Sequence, residues 1–297
     1  MKAEPLPFAP PRLSDAPAVR ALTSAAVGSD LSFANLYLLQ KKYATTIAAA
    51  GGFLFRHYAG NGRLQGYAFP CGSGDREAAL QRIESDAAAR KRPLKFCLLT
   101  EAEKARLEQL RPQQFRFDTD PGNADYLYNR RNLAELPGTV YHRKRNHISR
   151  FEKLYPRWHF APLTPENAGD ALQIAQGWLE NRNDAALLHE LHAIRHALEH
   201  LNALQLCGGI IYIEQLPVAM SVVSYISPAV ADVHYEKCLP AFRTAYPVIN
   251  RNTAQHLQCE LINREEDLNH PGLRRAKESY HPTRILRKYT AYPLSPC

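Results

Sequence analysis

The sequence predicts an α/β (α+β) protein made of two similar lobes in tandem. Segments with a period of two alternate with segments of period 3.6 along the whole chain. In the second half they run strand, two helices, three antiparallel strands, helix, strand, helix, strand, and the first half carries a looser version of that order. The 297 residues suit one large domain or two of roughly 140 residues, and the repeated order selects two.

In the first half, "SDAPAVRALTSAA" is expected to be a helix capped by Ser14 or Asp15, with Pro17 in its first turn. A short helix around "SFANLYLLQ" follows. Strand-like "YATTIAA", "GFLFRHY" and "LQGYAFP" are separated by Gly-Gly and Asn-Gly turns. Then come a helix "DREAALQRIESDAAARK", a strand "LKFCLL", a helix "EAEKARLEQL" and a strand "QFRFD". Pro137 and Gly138 break the pattern. They set the expected boundaries: an N-terminal lobe over 1–138, a basic bridging helix over 139–156, and a C-terminal lobe over 157–297 that carries the active site. Within the bridging helix, Tyr141, Ile148, Phe151 and Tyr155 share one stripe, while Arg143, Arg150 and Lys153 point elsewhere. Lys144 falls inside the stripe. Either the helix begins after it or the lysine has a buried anionic partner, and the first is the simpler expectation.

The second half continues with a strand "WHFAPL" and a helix "TPENAGDALQIAQGWLENR" capped by Thr164. A helix "AALLHELHAIRHALEHLNAL" follows, with Leu187, Leu191, Ile194, Leu198 and Leu201 on its core face. The stretch 207–239 reads as three antiparallel strands turning at 215–217 and 227–229. Helix "YPVINRNTAQHL", strand "QCELIN", loop "REEDLNHP", helix "GLRRAKESY" and a last strand "RILRKYTAY" close the chain.

The formal net charge is +8, and its placement is informative. Residues 141–158 and 272–290 hold twelve of the 37 basic residues and two of the 29 acidic ones. The rest of the chain is close to neutral. Such concentration points to an anionic partner, and the two segments are expected to line one hollow at the carboxyl edge of the later sheet. A solvated face is the alternative for either segment alone. No apolar run approaches the roughly 18–20 residues of a membrane span. The proline-rich start lacks the apolar core of a signal peptide. Six cysteines without a CxxC pair read as reduced thiols in a cytoplasmic protein.

Four histidines, His189, His192, His196 and His200, recur at helical spacing opposite the leucine stripe. They read as a polar outer face, with metal chelation as the alternative, so no metal site is expected. No serine or cysteine sits in an activating motif. In "NREEDL" (263–268), charged residues follow a buried-looking strand at its carboxyl end, where ligand crevices open. Glu265, Glu266 and Asp267 are there to orient cations or take a proton, unless the loop is simply solvated. In "GLRRAKESYHP", Arg274, Lys277 and His281 are expected on one helix side, with Leu273, Ala276 and Tyr280 inward. A helix N-terminus at Gly272 beside Arg and Lys has the chemistry to hold phosphate.

With these residues in place, the chain resembles the C-terminal domain of phosphatidylglycerol lysyltransferases. The likeness rests above all on G-L-R-x-x-K-x-x-Y-x-P at Gly272, Leu273, Arg274, Lys277, Tyr280 and Pro282. The stretches "DLSFANLYL", "YHRKRNHISRF", "HYEKCLP" and "INREEDLNHPGLRRAKESYHP" resemble soluble stand-alone members of that group. Fem-type aminoacyltransferases are more distant relatives. The resemblance implies tandem GNAT-like lobes, each a mixed, mostly antiparallel sheet flanked by helices. It also implies aminoacyl transfer from a charged tRNA to a phosphate-containing acceptor, with no cofactor of its own. Glu236, Glu266 and Asp267 would assist proton transfer. Arg274, Lys277, Tyr280, His281 and Asn263 would bind substrate, and Arg143, Lys144, Arg145 and Arg150 would contact tRNA. Peripheral contact with an anionic membrane would serve a lipid acceptor.

Two alternatives remain. A GNAT-type transferase would use acyl-CoA, although "LPAFRTAYPVIN" lacks the glycines that let backbone amides approach a pyrophosphate. A non-catalytic binder of RNA or anionic surfaces would use the basic segments alone.

Overall fold

In the computed structural model, residues 5–60, 64–180 and 185–294 are described. Two compact units emerge. The first comprises Met1–Asp125, Glu266–Arg274 and Ile285–Cys297; the second comprises Tyr126–Glu265 and Arg275–Arg284. This corrects the expected boundaries. The first cut falls before residue 138, and the C-terminal segment is divided between both units.

The first sheet contains β1 (Thr46–Ala50), β2 (Phe53–Ala59), β3 (Gln65–Tyr67), β4 (Cys71–Gly72), β5 (Phe96–Leu99), β6 (Phe115–Thr119) and the last strand of the chain. Aromatic residues of period two on these strands, Phe53, Phe55, Tyr67, Phe96 and Phe115, pack with Leu80, Ile83 and Leu107 from the helices Arg76–Ala89 and Glu101–Leu110. Asp75 and Thr100 cap those helices through their side chains, which is why each begins where it does.

The second sheet is built from β7 (Asp125–Asn129), β8 (Trp158–Pro162), β9 (Cys207–Ile213), β10 (Leu216–Ser227), β11 (Val230–Cys238), β12 (Leu261–Asn263) and β13 (Arg284–Leu286). Its order is β13-β7-β12-β11-β10-β9-β8. Three long strands, β9 to β11, pair antiparallel, and β11 and β12 run parallel. Gly208 opens β9 at φ +129°, where an added Cβ would lie 2.2 Å from the Ser221 carbonyl oxygen; only glycine tolerates that approach.

Three expectations change here. Strand β7 and the helix Arg130–Glu135 were not foreseen in "DYLYNRRNLAE". The single closing strand divides into β13 and β14 (Tyr289–Pro293), and β14 lies between β5 and β6 in the first sheet. The basic helix runs from His142 to Leu154, so it begins ahead of Lys144. The helix lies within the second unit. Tyr141, Ile148 and Phe151 are buried with Ile211, Val218, Val248 and Ile249 in the core of the second unit. No helix among the described residues is long and apolar enough to cross a membrane.

Candidate anion site in the second unit

Beyond the carboxyl ends of the parallel pair β11–β12, charged and aromatic side chains of the second unit gather. Asp232 is paired with Asn263, so Glu236 and Arg264 both lie beyond that register point. Arg264 Nη2 donates to Glu236 Oε1 at 2.9 Å, and Asn250 Nδ2 donates to Glu236 Oε2 at 3.0 Å. The guanidinium lies 5.0 Å from the ring centre of Tyr280 and 5.8 Å from that of Tyr128. Its Nη1 is buried and has no hydrogen-bond partner among the described residues. A buried cationic donor left unpaired is costly, and such a group is the natural hold for an anionic oxygen.

Lys144 reaches the same place from the basic helix. Its Nζ lies 3.7 Å from the Tyr280 ring centre and donates to Ser279 Oγ at 2.7 Å. Among the described residues no carboxylate stands within ion-pair distance of it. The two basic segments therefore meet, through Lys144 on one and Ser279 and Tyr280 on the other. Tyr141 OH also donates to the Tyr280 carbonyl at 2.9 Å. Burial, and then the charge of Arg264, pull the Lys144 ammonium down to about 8, with Glu236 acting in the other direction.

A pH dependence follows from that depression. An anion held by Lys144 should bind best below pH 8 and weaken by up to about tenfold per pH unit above it, as the ammonium loses its proton. Calorimetric titration with sulfate, whose charge is constant from pH 6.5 to 9.5, checks this; a flat profile contradicts it. The sign for stability is opposite. A lowered lysine pKa costs stability below pH 8, and the cost fades as the pH climbs towards 10.5.

The remaining expected residues are distributed as follows. Lys277 is half-buried, and its Nζ donates to the carbonyls of Arg264 and Glu265. It thereby clamps the segment that follows β12. Tyr280 is buried, whereas Leu273 and Ala276, expected inward, are exposed. His281 lies past the end of the helix Pro271–Glu278 in a left-handed conformation, edge-on to Tyr141 at 5.4 Å, rather than on the Arg274 face. Asn263 is fully buried and accepts from the Glu265 N–H. Arg143, Arg145 and Arg150 are exposed, and Arg145 folds back onto the carbonyls of Leu136 and Gly138. Glu266, Asp267 and Arg274 belong to the first unit. There Asp267 is fully buried and takes a two-pronged ion pair from Arg274 at 2.7 and 3.1 Å. Sequence reasoning missed Arg264 and Tyr128. Arg264 sits inside an acidic run, so no count of basic residues marks it. Tyr128 belongs to the unforeseen β7, where the alternation in "DYLYN" was the available signal.

Several known structures share this architecture. A conserved protein of unknown function from Bacteroides thetaiotaomicron is 35% identical and superposes with a TM-score of 0.92 over 97% of this chain and 99% of the other. L-PGS from Bacillus licheniformis is 14% identical, with a TM-score of 0.64 over 93% and 91%. A tandem GNAT protein from the clavulanic acid biosynthesis pathway, 12% identical, reaches 0.50 over 98% and 99%. The fold is thus that of tandem GNAT-like lobes. No curated protein matches the sequence. The family model described as phosphatidylglycerol lysyltransferase, C-terminal, matches residues 23–292, and by that span the chain belongs to the phosphatidylglycerol lysyltransferase C-terminal family.

Proposed function

We propose that the second unit transfers an aminoacyl group from a charged tRNA to an acceptor bearing a phosphate. The observation that carries this reading is the buried Nη1 of Arg264, which has no hydrogen-bond partner among the described residues, on a guanidinium that shares the Tyr280 ring with the Lys144 ammonium and is paired with the Glu236 carboxylate. An aminoacyl ester is already activated, so the protein's tasks are to position the reactants and to stabilise a tetrahedral oxyanion. The acceptor nucleophile attacks the ester carbonyl, and Glu236 receives its proton. The oxyanion or the acceptor phosphate lies against Arg264 and Lys144. Collapse breaks the bond to the tRNA 3′ oxygen, which leaves with the proton. Arg143 and Arg150, exposed on the basic helix, follow the tRNA backbone. The family membership supports acyl transfer in general; tRNA as donor and a phosphate-containing acceptor are this proposal's own content.

The test combines binding and turnover. Fluorescence anisotropy with charged tRNA should show affinity at 50 mM salt that falls steeply by 200 mM, since each neutralised phosphate adds about 0.7–0.9 to the log–log slope. Lys144→Ala should lower transfer of a radiolabelled aminoacyl group into non-tRNA product by about 100-fold, the scale set by losing one oxyanion donor. Absence of tRNA affinity at low salt defeats the proposal. Thermal stabilisation by millimolar acetyl-CoA, with acetyl transfer, would replace it with the acyl-CoA reading.

A further inference from the structure

The geometry points to a binding site for one divalent transition-metal ion at Asp232, His234 and Glu265, separate from the anion site and independent of the proposed transfer. His234 Nδ1 lies 3.2 Å from Glu265 Oε1 and 3.6 Å from Asp232 Oδ2, and the three donor atoms all fall within 4.8 Å of one another. With metal–ligand bonds of about 2.0–2.2 Å, donors around a tetrahedral or octahedral ion stand roughly 3.0–3.5 Å apart. The two His234 distances are close to that spacing, and the third separation is at most 4.8 Å, so a small side-chain adjustment would close the set around an ion.

The far side of the ring has the support that a metal-bound imidazole requires. His234 Nε2 lies 2.8 Å from Ser224 Oγ. In the tautomer whose Nε2–H donates to that hydroxyl, the Nδ1 lone pair is turned to the carboxylate side and can ligate a metal; in the other tautomer Nδ1–H donates to Glu265 Oε1. A serine nucleophile is the competing idea for Ser224, His234 and an acid. Ser224 is only 3% exposed in the middle of β10, out of reach of an acyl donor.

The backbone departs from regularity at two of the three ligands. Val222 pairs with Tyr235 and Val223 with Val233, so His234 is the extra residue of a β-bulge, a device that re-aims a side chain. Glu265 is left-handed at φ +55°. It is held there because its N–H donates to Asn263 Oδ1 at 2.7 Å. Its carbonyl accepts from Tyr126 N–H at 3.2 Å and from Lys277 Nζ at 3.0 Å. A strained backbone held by three hydrogen bonds fixes where the carboxylate points. This gives Lys277 a role in positioning a ligand.

One imidazole with two carboxylates suits zinc, manganese or iron(II) better than calcium or magnesium. The Asp232 and His234 side chains are sealed, while that of Glu265 is one-quarter exposed. The ion would have a protein floor and an outer position open to water or a substrate oxygen. It would also tie β11 to the segment that begins at Arg264.

The experiment uses the untagged full chain, stripped with chelator, desalted and loaded with zinc(II). Expected are one equivalent of zinc retained by elemental analysis and a melting temperature raised by several degrees. Glu265→Gln, at the most exposed ligand, should weaken zinc affinity by about 100-fold or more. Ser224→Ala should weaken it by about 10–100-fold, the usual effect of removing a ligand's hydrogen-bond partner. The helical set of the half-buried His196 and His200 with the exposed Glu199 is the control, and His196→Gln/His200→Gln should leave the bound equivalent unchanged. No retained zinc, zinc that survives Glu265→Gln undiminished, or zinc lost only from the helical variant would each overturn the site and leave His234 simply hydrogen-bonded to Glu265 and Ser224.

Discussion

Arg264→Ala is expected to destabilise the second unit by about 3–5 kcal/mol, the cost of leaving a buried ion without its partner. The Glu236 side chain is 10% exposed and that of Arg264 13%, so water does little to replace the lost cation. Asn250 would remain as a donor, but an amide supplies no compensating charge. The contacts of the guanidinium with the faces of Tyr280 and Tyr128 would disappear as well. Urea unfolding followed by tryptophan fluorescence is the appropriate readout. Both tryptophans of the chain, Trp158 and Trp178, belong to the second unit. The double variant Glu236→Leu/Arg264→Met should recover most of the loss, because apolar replacement of a whole buried pair is often close to neutral. It should nevertheless bind sulfate far more weakly than the parent chain, since of the two cations only Lys144 remains. If Arg264→Ala costs under about 1 kcal/mol, the pair behaves as a surface ion pair and the dry anion pocket is refuted.

A loss of similar size, about 3–5 kcal/mol, is expected in the first unit from Lys288→Met. Lys288 is 4% exposed, and its Nζ lies 2.6 Å from Asp125 Oδ1, 3.1 Å from Asp30 Oδ1 and 3.2 Å from Ser29 Oγ. Arg56, equally buried, takes the other oxygen of Asp30. Two cations thus balance two buried carboxylates, and methionine would fill the volume while leaving one negative charge uncompensated. The acid limb of stability reports the same network. Burial raises the Asp30 carboxyl, but Lys288 and Arg56 together bring it down to about 2. A folded-state value below the unfolded one means that the contribution, on the order of 2 kcal/mol, is complete above about pH 4 and is lost as pH falls towards 2. In Lys288→Met that limb should move to higher pH. Hydrogen exchange at β5, β6 and β14 between pH 2 and 5 measures it, and protection unchanged from the parent chain would contradict the prediction.

Most helices and most long strands were legible in the primary order because their side chains decide them locally. Asp75 and Thr100 cap their helices, alternating aromatics mark β2, and "LPVAMSVVSYIS" is long and apolar enough for a central strand. The family pattern at Gly272–Pro282 was legible too. What those residues touch was not. Lys277 looks like a phosphate ligand in the sequence, yet in the fold it holds the carbonyls of Arg264 and Glu265. Arg274 looks like its companion but is paired with a fully buried Asp267. A cation's partner is set by what lies within about 4 Å of it, which a linear spacing does not contain. Strand β7 escaped because the alternation in "DYLYN" is only five residues long, too short to stand out between turn signals and a short helix.

Composition, periodicity and capping chemistry determined by themselves that this chain folds as two α/β lobes, with its positive charge drawn into two short segments. Only the tertiary structure decided that Lys144 and Arg264 both pack against the Tyr280 ring, and that Asp232, His234 and Glu265 bring one donor atom each to within 4.8 Å of one another. The first group of facts depends on neighbours along the chain, a few residues apart. The second depends on a β-bulge, a left-handed residue and a parallel strand pair that bring together side chains separated by 31 and more than 100 positions, and that geometry exists only once the sheet has formed.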